Sequence, residues 1–363
     1  MKMIVTFKNV VPRLALGLMP IIAACAGAPA DSVESASIAS TSQAVTPGHA
    51  VPEVLSSPLA VGLYQSAYSV RNDVLWVTSA EGLPPVKSSS LMKVNPHTRE
   101  ILATYVPPVT DAATGAIEAV YGVAVDDVHD NVWVTNTRND SVAVYRQRTG
   151  EHLASLPGVV HAREVVVDEV RGLAWASSLG DGTIVAFDTR TFEEKRRVTV
   201  QGTSPSGLAV NEWTGTVYAA DHKNGQIIEV PSRSDTVRFI PAGKGTISIG
   251  LSRDGRTAYT ADQGAGTLSV VDLRSGTIRK RIATGEGAKS VAADPWTGKV
   301  LVVNRVAATV SVVDVDKGVV TDTIATNANP NHVTFGLGEA WIVDKSAAGA
   351  DRKDTLYTVT FCH

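Results

Sequence analysis

Chemically capable side chains occur at a fixed distance before seven aromatic or apolar anchor residues. The positions twelve residues before each anchor (ten before the last) are Tyr64, Tyr121, Arg163, Ser206, Ile247, Lys289 and Asn331. Arginine and lysine suit a carboxylate or phosphate, and tyrosine can stack on a planar group. If the fold brings these positions together, they predict a ligand-binding set made of Tyr64, Tyr121, Arg163, Ser206, Lys289 and Asn331. The alternative is that they only plug and solvate a polar opening.

Signatures of familiar enzymes are missing from this sequence. It contains no G-x-S-x-G, no H-E-x-x-H and no G-x-G-x-x-G in a βαβ context. Ser90-Leu-Met-Lys93 matches S-x-x-K, but that chemistry needs a nucleophile at a helix start, and Ser90 is predicted to begin a strand. His161, His222 and His332 are expected on one loop-bearing face, at a spacing that fits no tight metal chelate. We therefore expect no catalytic residue, no metal and no cofactor.

The first residues have the layout of an export signal. Residues 1–13 carry three cations and no acid, and an apolar run from Leu14 to Ala24 follows. Ile22-Ala-Ala-Cys25 resembles the lipobox of bacterial lipoprotein precursors, which implies lipid attachment at Cys25. Ordinary cleavage after the Ala-Gly-Ala at 26–28 is the alternative. We predict a leader over 1–24, a flexible tether over 25–50, and a membrane-anchored protein facing the periplasm or cell exterior.

Charge and cysteine content limit the partners of the exported chain. Among 363 residues, 33 Lys and Arg face 36 Asp and Glu, for a formal net charge of −3. Loss of the leader, with its three cations, takes the charge to near −6, which argues against a generic polyanion binder. Cys362 is the only other cysteine, so no intramolecular disulfide can form if Cys25 is lipidated or removed.

A unit of roughly 42 residues recurs seven times and supplies the elements that must position these side chains. The anchors are residues 76, 133, 175, 218, 259, 301 and 341, separated by 57, 42, 43, 41, 42 and 40 residues. Four short β-rich runs per unit, divided by Gly-containing turns, are typical of a β-propeller blade. The seventh unit supplies only three strands. We predict that residues near Val51–Val61 add its outer strand, making 51–363 one closed domain.

Two of these units carry a recognisable motif. Trp133-Val-Thr-Asn136 followed by Ser141-Val-Ala-Val144, and Val303-Asn304 followed by Thr309–Asp314, resemble the YVTN-type propeller repeat. From about Gly62 to Phe361 the chain is similar to the YncE-like family of exported bacterial propellers. The resemblance implies an all-β, seven-bladed β-propeller of four-stranded antiparallel blades. It says little about activity, because this fold hosts many functions.

Loop lengths indicate where a site would lie. Three loops on one face of the predicted ring are unusually long, and they belong to neighbouring blades: Ser79–Ser89, Pro107–Val120 and Lys345–Asp354. Long loops on a rigid scaffold often carry function, although neutral insertion would look the same. A second ring of polar residues is interpreted as turn caps: Asn136, Asp221, Asp262, Asn304 and Asp344.

The sequence favours a monomeric, non-enzymatic, envelope-tethered propeller that binds a ligand or protein partner at its loop-rich face and channel mouth. One alternative is a propeller enzyme (lactonase-, lyase- or quinone-dependent-like) acting in the central channel. It would need clustered Glu, His or metal ligands there, and the predicted ring supplies none. Another alternative is single-stranded nucleic acid binding at the mouth, where tyrosines would stack on bases. The negative net charge counts against it.

Overall fold

The computed structural model describes residues 52–234, 236–294 and 296–361. The predicted leader, Cys25, the predicted tether and Cys362 lie outside these residues. Those described form seven four-stranded antiparallel sheets and one two-stranded hairpin. The chain is therefore an all-β, seven-bladed propeller, as the repeats predicted. None of its described helices is long and apolar enough to cross a membrane.

The strands are numbered in chain order and grouped by blade. Blade one contains β2 (Leu63–Ser69), β3 (Val74–Glu81), β4 (Ser88–Val94) and β5 (Ile101–Tyr105), and it is followed by the hairpin β6 (Val109–Asp111) and β7 (Ala116–Ile117). Blades two to four contain β8 (Val123–Asp126), β9 (Asn131–Asn136), β10 (Ser141–Arg146), β11 (His152–Pro157), β12 (Ala162–Asp168), β13 (Leu173–Ser178), β14 (Thr183–Asp188), β15 (Glu194–Thr199), β16 (Pro205–Asn211), β17 (Thr216–Asp221), β18 (Gln226–Val230) and β19 (Arg238–Pro241). Blades five and six contain β20 (Thr246–Leu251), β21 (Thr257–Asp262), β22 (Thr267–Asp272), β23 (Thr277–Ala283), β24 (Ala288–Ala293), β25 (Val300–Asn304), β26 (Thr309–Asp314) and β27 (Val319–Ala325). Blade seven contains β28 (Pro330–Gly336), β29 (Glu339–Asp344), β30 (Thr355–Thr360) and β1 (Glu53–Pro58).

The core lies between blades rather than in one central cluster. One buried cluster joins Trp133 and Val144 of blade two to Val165 and Phe187 of blade three. Neighbouring blades cover both faces of each sheet, so all six residues of β9 are buried and its sequence does not alternate. Four anchor tryptophans are at most 2% exposed: Trp76, Trp133, Trp175 and Trp341. The anchor positions therefore hold the ring together and are not available to a ligand.

The ring closes through its two chain ends. β1 pairs antiparallel with β30, from Glu53 opposite Thr360 to Pro58 opposite Thr355. This confirms the prediction that the segment near residues 51–61 completes the last blade. The pairing covers an edge that would otherwise offer unpaired backbone groups to another chain.

The two faces of the ring differ in their loops. We call the face on which β2, β8, β12 and the other innermost strands begin the mouth face, and the opposite one the turn face. The three long loops lie on the mouth face, where β3 extends to Glu81 and a short 3-10 turn covers Ala350–Arg352. The amide of Ile117 donates to Val86 O at 2.9 Å, so the first two long loops contact each other. We call the three long loops together the lip, which lies on one side of the channel.

Candidate functional site

A cavity of about 460 Å³ opens on the mouth face beneath the lip. It is lined by Val61, Gly62, Tyr64, Ala80, Glu81, Gly82, Tyr121, Thr137, Arg138, His161, Lys345, Ala347, Arg352 and Asp354. Tyr64 and Tyr121 come from the predicted mouth positions, whereas Glu81, Lys345 and Arg352 come from two of the three long loops. The predicted mouth and the predicted lip thus meet in one concave region.

Tyr64 lies among positive charges in this region. Its ring meets that of Tyr121 edge-on, with centroids 4.8 Å apart at 84°. The guanidinium carbon of Arg163 lies 5.3 Å from the Tyr64 ring centroid, and Nζ of Lys345 lies 5.4 Å from it. Both distances are within the range of cation–π attraction. Among the described residues, no carboxylate forms an ion pair with Arg163 or Lys345, and Lys345 Nζ donates to Ala80 O at 3.3 Å.

The lip supports the tyrosines from outside. Ala80, Val86, Ala119 and Tyr121 form a small buried cluster against which Tyr64 packs. The amide of Val120 donates to Ser89 Oγ at 3.0 Å, which joins the two loops beside Tyr121. The first two long loops therefore stabilise the site, because their contacts fix the position of Tyr121.

Asp354 joins blade seven to blade one beneath the cavity. Its carboxylate is 2% exposed and accepts hydrogen bonds from the amides of Gly62 at 2.7 Å and Leu63 at 2.9 Å. Its other oxygen accepts from the amide of Ala347 at 2.7 Å. Three backbone donors thus satisfy this charge. It holds the start of β2 and the blade-seven loop in place.

The cavity is cationic although the chain as a whole is acidic. Arg138, Lys345 and Arg352 line it and Arg163 adjoins it, whereas the acids on its wall are the exposed Glu81 and the bonded Asp354. Nη1 of Arg163 is buried and has no hydrogen-bond partner within the described residues. A buried donor without a partner is costly, so Arg163 would gain a hydrogen bond by turning toward an anion bound in the cavity. Burial lowers the pKa of Lys345.

Two predicted site residues make hydrogen bonds between blades instead of lining the cavity. Ser206 is 1% exposed and donates to Ala220 O at 3.1 Å and Ile247 O at 2.8 Å, which links blades four and five. Asn331 donates through Nδ2 to Tyr64 O at 2.5 Å, which links blade seven to blade one. Asn331 thus positions Tyr64, while Ser206 lies on the far side of the ring.

Lys289, the remaining predicted residue, lies deeper. It is 9% exposed, and burial, with Arg163 and Arg305 nearby, lowers its pKa well below the usual value. Nε of Arg305 is also buried without a hydrogen-bond partner in the part of the chain that the structure describes.

A second polar layer lies just inside the channel, and the sequence analysis missed it. Gln65 donates through Nε2 to Glu164 Oε2 at 2.9 Å and accepts from the amide of Val123 at 3.2 Å. The amide of Ser66 donates to His332 Nδ1 at 3.4 Å. Burial raises the pKa of Glu164 and lowers that of His332 to about 3. His332 is therefore neutral at physiological pH.

This layer corrects two expectations. His332 lies in the channel and not in a loop of the mouth face, and the channel does contain an acid, Glu164. The pairing of β12 with β13 and of β28 with β29 is irregular near the start of the inner strand. Such an irregularity breaks the strict alternation of side chains, so two successive residues can face the channel. The available signal was that Gln65, Glu164 and His332 each follow a mouth position by one residue.

The other two histidines lie on the mouth face as expected. His161 lines the cavity, and burial lowers its pKa. Nδ1 of His222 lies 3.2 Å from Gly245 O. Among the described residues, no group of three or more His, Cys, Asp and Glu side chains could hold a metal ion.

The second polar ring caps turns, and the cap is weakest in the seventh blade. Asn136, Asp221, Asp262 and Asn304 each hydrogen-bond to neighbouring backbone or side chains. Asp344 is 0% exposed, and the amide and hydroxyl of Ser346, two residues further on, face its carboxylate. Burial raises its pKa to about 6. Ser346 offsets this rise only in part, so Asp344 caps its turn more weakly than the other four residues do.

Comparison with known proteins gives relatives in sequence and in fold. No protein-family model matches the chain. The uncharacterized protein YncE of Escherichia coli is 24% identical over 254 residues, covering 65% of this chain and 69% of the relative. YncE of Salmonella typhi is 25% identical over 273 residues, which cover 70% of this chain and 74% of the relative. These alignments confirm the resemblance that the YVTN-type repeats predicted.

Solved structures of other propellers superpose on most of the chain. A streptogramin B lyase matches with a TM-score of 0.68 at 11% identity, covering 86% of this chain and 98% of that one. Virginiamycin B lyase from Staphylococcus aureus, in a complex with quinupristin, gives 0.69 at 13% identity, covering 85% and 100%. Hydrazine synthase of Kuenenia stuttgartiensis gives 0.68 at 13% identity, covering 84% and 96%. At such identities the likeness concerns the fold alone.

Proposed function

We propose that this YncE-like seven-bladed propeller is a non-enzymatic binding protein whose mouth-face cavity takes a small anionic ligand, a carboxylate or a phosphate. The observation that carries the proposal is the environment of Tyr64. Arg163 and Lys345 flank its ring at 5.3 and 5.4 Å, and Arg163 keeps a buried Nη1 without a partner within the described residues. An anion bound there would complete the hydrogen bonding of Arg163.

Size and charge support a small ligand. A volume of about 460 Å³ falls within the range of small-molecule pockets. Cations concentrated in a concave, partly desolvated region focus the electrostatic field and attract anions even when the net charge is negative. Tyr121 offers an apolar ring edge beside the cations, which suits a ligand with a planar group. The negative net charge of the chain argues against a long polyanion such as a nucleic acid strand.

The channel layer beneath the cavity favours binding over catalysis. Glu164 is engaged by Gln65, and His332 accepts a hydrogen bond from the backbone of Ser66. Both groups therefore already stabilise the inner strands. The likeness to two lyases is one of fold, and it brings no substrate or reaction to this chain.

Calorimetric titration of the full-length protein tests this proposal with two matched probes. Phenyl phosphate combines an anion with a planar group, and benzyl alcohol keeps the ring without the charge. We expect phenyl phosphate to bind at least tenfold more tightly than benzyl alcohol, with an affinity that falls as salt is added. Equal binding of the two probes, or binding of neither, would contradict the proposal.

We also propose that the protein is exported and lipid-anchored. The support is the leader-like segment over residues 1–24 and the lipobox-like Ile22–Cys25. The intact mass of protein extracted from membranes is expected to equal the chain from Cys25 onward plus acyl chains. An unmodified mass, or a mass that includes the leader, would overturn the anchor.

A further inference from the structure

Apolar side chains recur at the tips of the turns on the turn face. These turns join the first strand of a blade to its second. In six of the seven blades the tip carries an exposed apolar residue. The exposed fraction of these residues ranges from 56% for Val128 to 79% for Trp213. We call this set the apolar rim: Val70, Val128, Val170, Trp213, Trp296 and Leu337. The repetition of one feature in six homologous turns distinguishes the rim from scattered surface residues.

Arginines hold neighbouring tips of the rim in place. Nη1 of Arg71 in blade one donates to Asp127 O in blade two at 2.7 Å. Arg171 in blade three donates through Nη2 to Trp213 O in blade four at 3.2 Å. The tip of blade five carries Arg253, whose guanidinium carbon lies 4.7 Å from the Trp296 ring centroid in blade six. The rim is therefore a preorganised surface and not a set of independent mobile turns.

The N-terminal segment joins the propeller on the same face. β30 runs from the mouth face to the turn face, and Glu53 of β1 lies opposite Thr360 at its far end. Because β1 runs antiparallel to β30, it enters the blade from the turn face. The first strand of the propeller, β1, therefore begins at Glu53 on the face that carries the rim.

We infer that the apolar rim docks on a lipid bilayer, the one that holds the proposed acyl anchor at Cys25. Tryptophan is favoured at membrane interfaces because its ring is apolar and its N–H is polar. The rim has two tryptophans, Trp213 and Trp296, which are 79% and 66% exposed. Interfacial binding grows with buried apolar area. Docking in this way turns the mouth-face cavity away from the membrane and toward its ligand. The inference rests on the proposed lipid anchor but not on the proposed ligand.

Charge around the rim indicates an attraction dominated by apolar groups. Arg71, Arg171 and Arg253 lie beside acids such as Glu212 and Asp254. The positive charges of these arginines are offset by the negative charges of the acids. Binding of the rim to a bilayer therefore does not require anionic lipid. We therefore expect docking on zwitterionic phosphatidylcholine vesicles, with little dependence on salt.

Tryptophan fluorescence of the full-length protein tests the orientation. Vesicles of phosphatidylcholine with brominated acyl chains quench only tryptophans that reach the membrane. The other four tryptophans are at most 2% exposed, so quenching reports on Trp213 and Trp296. We expect both to be quenched at least twofold. In a control with Trp213→Phe, Trp296→Phe and Val306→Trp, the reporter lies on the mouth face and is expected to stay unquenched. Quenching of the Val306→Trp reporter, or none at Trp213 and Trp296, would overturn the docking.

Flotation with the same vesicles separates docking from anchoring. In the Cys25→Ser protein, which carries no acyl chain, docking predicts that the propeller still floats. Adding Trp213→Ser/Trp296→Ser to it is expected to lower flotation at least fivefold. Val109→Ser/Val306→Ser removes exposed apolar groups from the mouth face and is expected to float like wild type. Equal flotation of the two double variants would contradict lipid docking. A wild-type dimer that Trp213→Ser/Trp296→Ser dissociates, and that Val109→Ser/Val306→Ser leaves intact, would also contradict it, because the rim would then bind a second copy of the chain. Neither readout depends on phenyl phosphate, so this inference and the ligand proposal fail separately.

Discussion

Asp344 is an acid at a position where its counterparts in other blades have partners. In blades two and six the same position is Asn136 or Asn304, and each donates hydrogen bonds through its amide. Asp344 is as deeply buried, but among the described residues only Ser346 faces its carboxylate, at a geometry too poor for a full hydrogen bond. Because burial disfavours the ionised form, its pKa rises to about 6 from the ordinary value of 3.8.

This raised pKa predicts how Asp344→Asn changes stability with pH. The folded state binds the proton more tightly than the unfolded state, so the contribution of Asp344 is most favourable below about pH 4. It is lost as the pH rises through about 6. The neutral amide of Asp344→Asn escapes this loss. We expect the variant to gain about 1–2 kcal/mol of unfolding free energy over wild type at pH 8, and little at pH 4.

Urea unfolding at the two pH values measures this difference. Asp254→Asn is the control, because Asp254 is an exposed turn acid whose pKa is lowered by a hydrogen bond from Ser252. That variant is expected to gain nothing at pH 8. A Asp344→Asn variant no more stable than wild type at pH 8 would show that water or a counter-charge already compensates the buried carboxylate.

Asp354 supports the cavity through backbone amides rather than by contact with a ligand. Asp354→Ala removes the acceptor for Gly62, Leu63 and Ala347 together, and it leaves buried donors without partners. We expect a loss of about 2 kcal/mol or more of unfolding free energy, together with weaker binding of phenyl phosphate. Asp351→Ala in the same loop is the control, because Asp351 is exposed. Equal stability of the two variants by urea unfolding would contradict the structural role of Asp354.

At the scale of elements, the strands and their closure were predictable, but the walls of the cavity were only partly so. The repeat of roughly 42 residues fixes strand order, and with it the mouth positions of Tyr64, Tyr121 and Arg163. Lys345 and Arg352 lie in a long loop that no repeat constrains, so their approach to Tyr64 could not be derived. Arg138 lies in the regular turn between β9 and β10, whose position the repeat predicts, but the sequence does not show that its side chain reaches the cavity. Glu164 was missed because a pairing irregularity, invisible in the sequence, breaks the alternation of β12.

The closing strand β1 predicts how the propeller responds to truncation. Deletion of residues 52–58 would expose the full six-residue edge of β30. An open edge is a template for pairing with another chain, so we expect aggregation and a broadened thermal transition. Deletion of residues 30–45, before β1, is the control and is expected to leave the transition unchanged. Calorimetry with light scattering measures both, and a sharp, unshifted transition without residues 52–58 would contradict closure by β1.

At the scale of the whole molecule, the two faces have opposite character. The mouth face carries a cationic cavity under a lip, and the turn face carries the apolar rim beside the entry of β1. The lyases and the hydrazine synthase that share the fold indicate that the ring itself does not decide function. In this chain the distinguishing features are the loops of blades seven, one and two. The ligand proposal therefore depends on the cations that those loops and the inner strands gather around Tyr64.

The most direct test of that proposal is the affinity for phenyl phosphate of Arg163→Ala compared with Arg190→Ala, measured by calorimetry. Both variants remove one arginine, but Arg163 adjoins the cavity and Arg190 is an exposed turn residue on the opposite face. We expect Arg163→Ala to weaken binding at least tenfold, because a charge-assisted hydrogen bond contributes about 1.5–3 kcal/mol. Arg190→Ala is expected to bind like wild type. If the two variants bind phenyl phosphate equally, the cavity at Tyr64 is not the anion site.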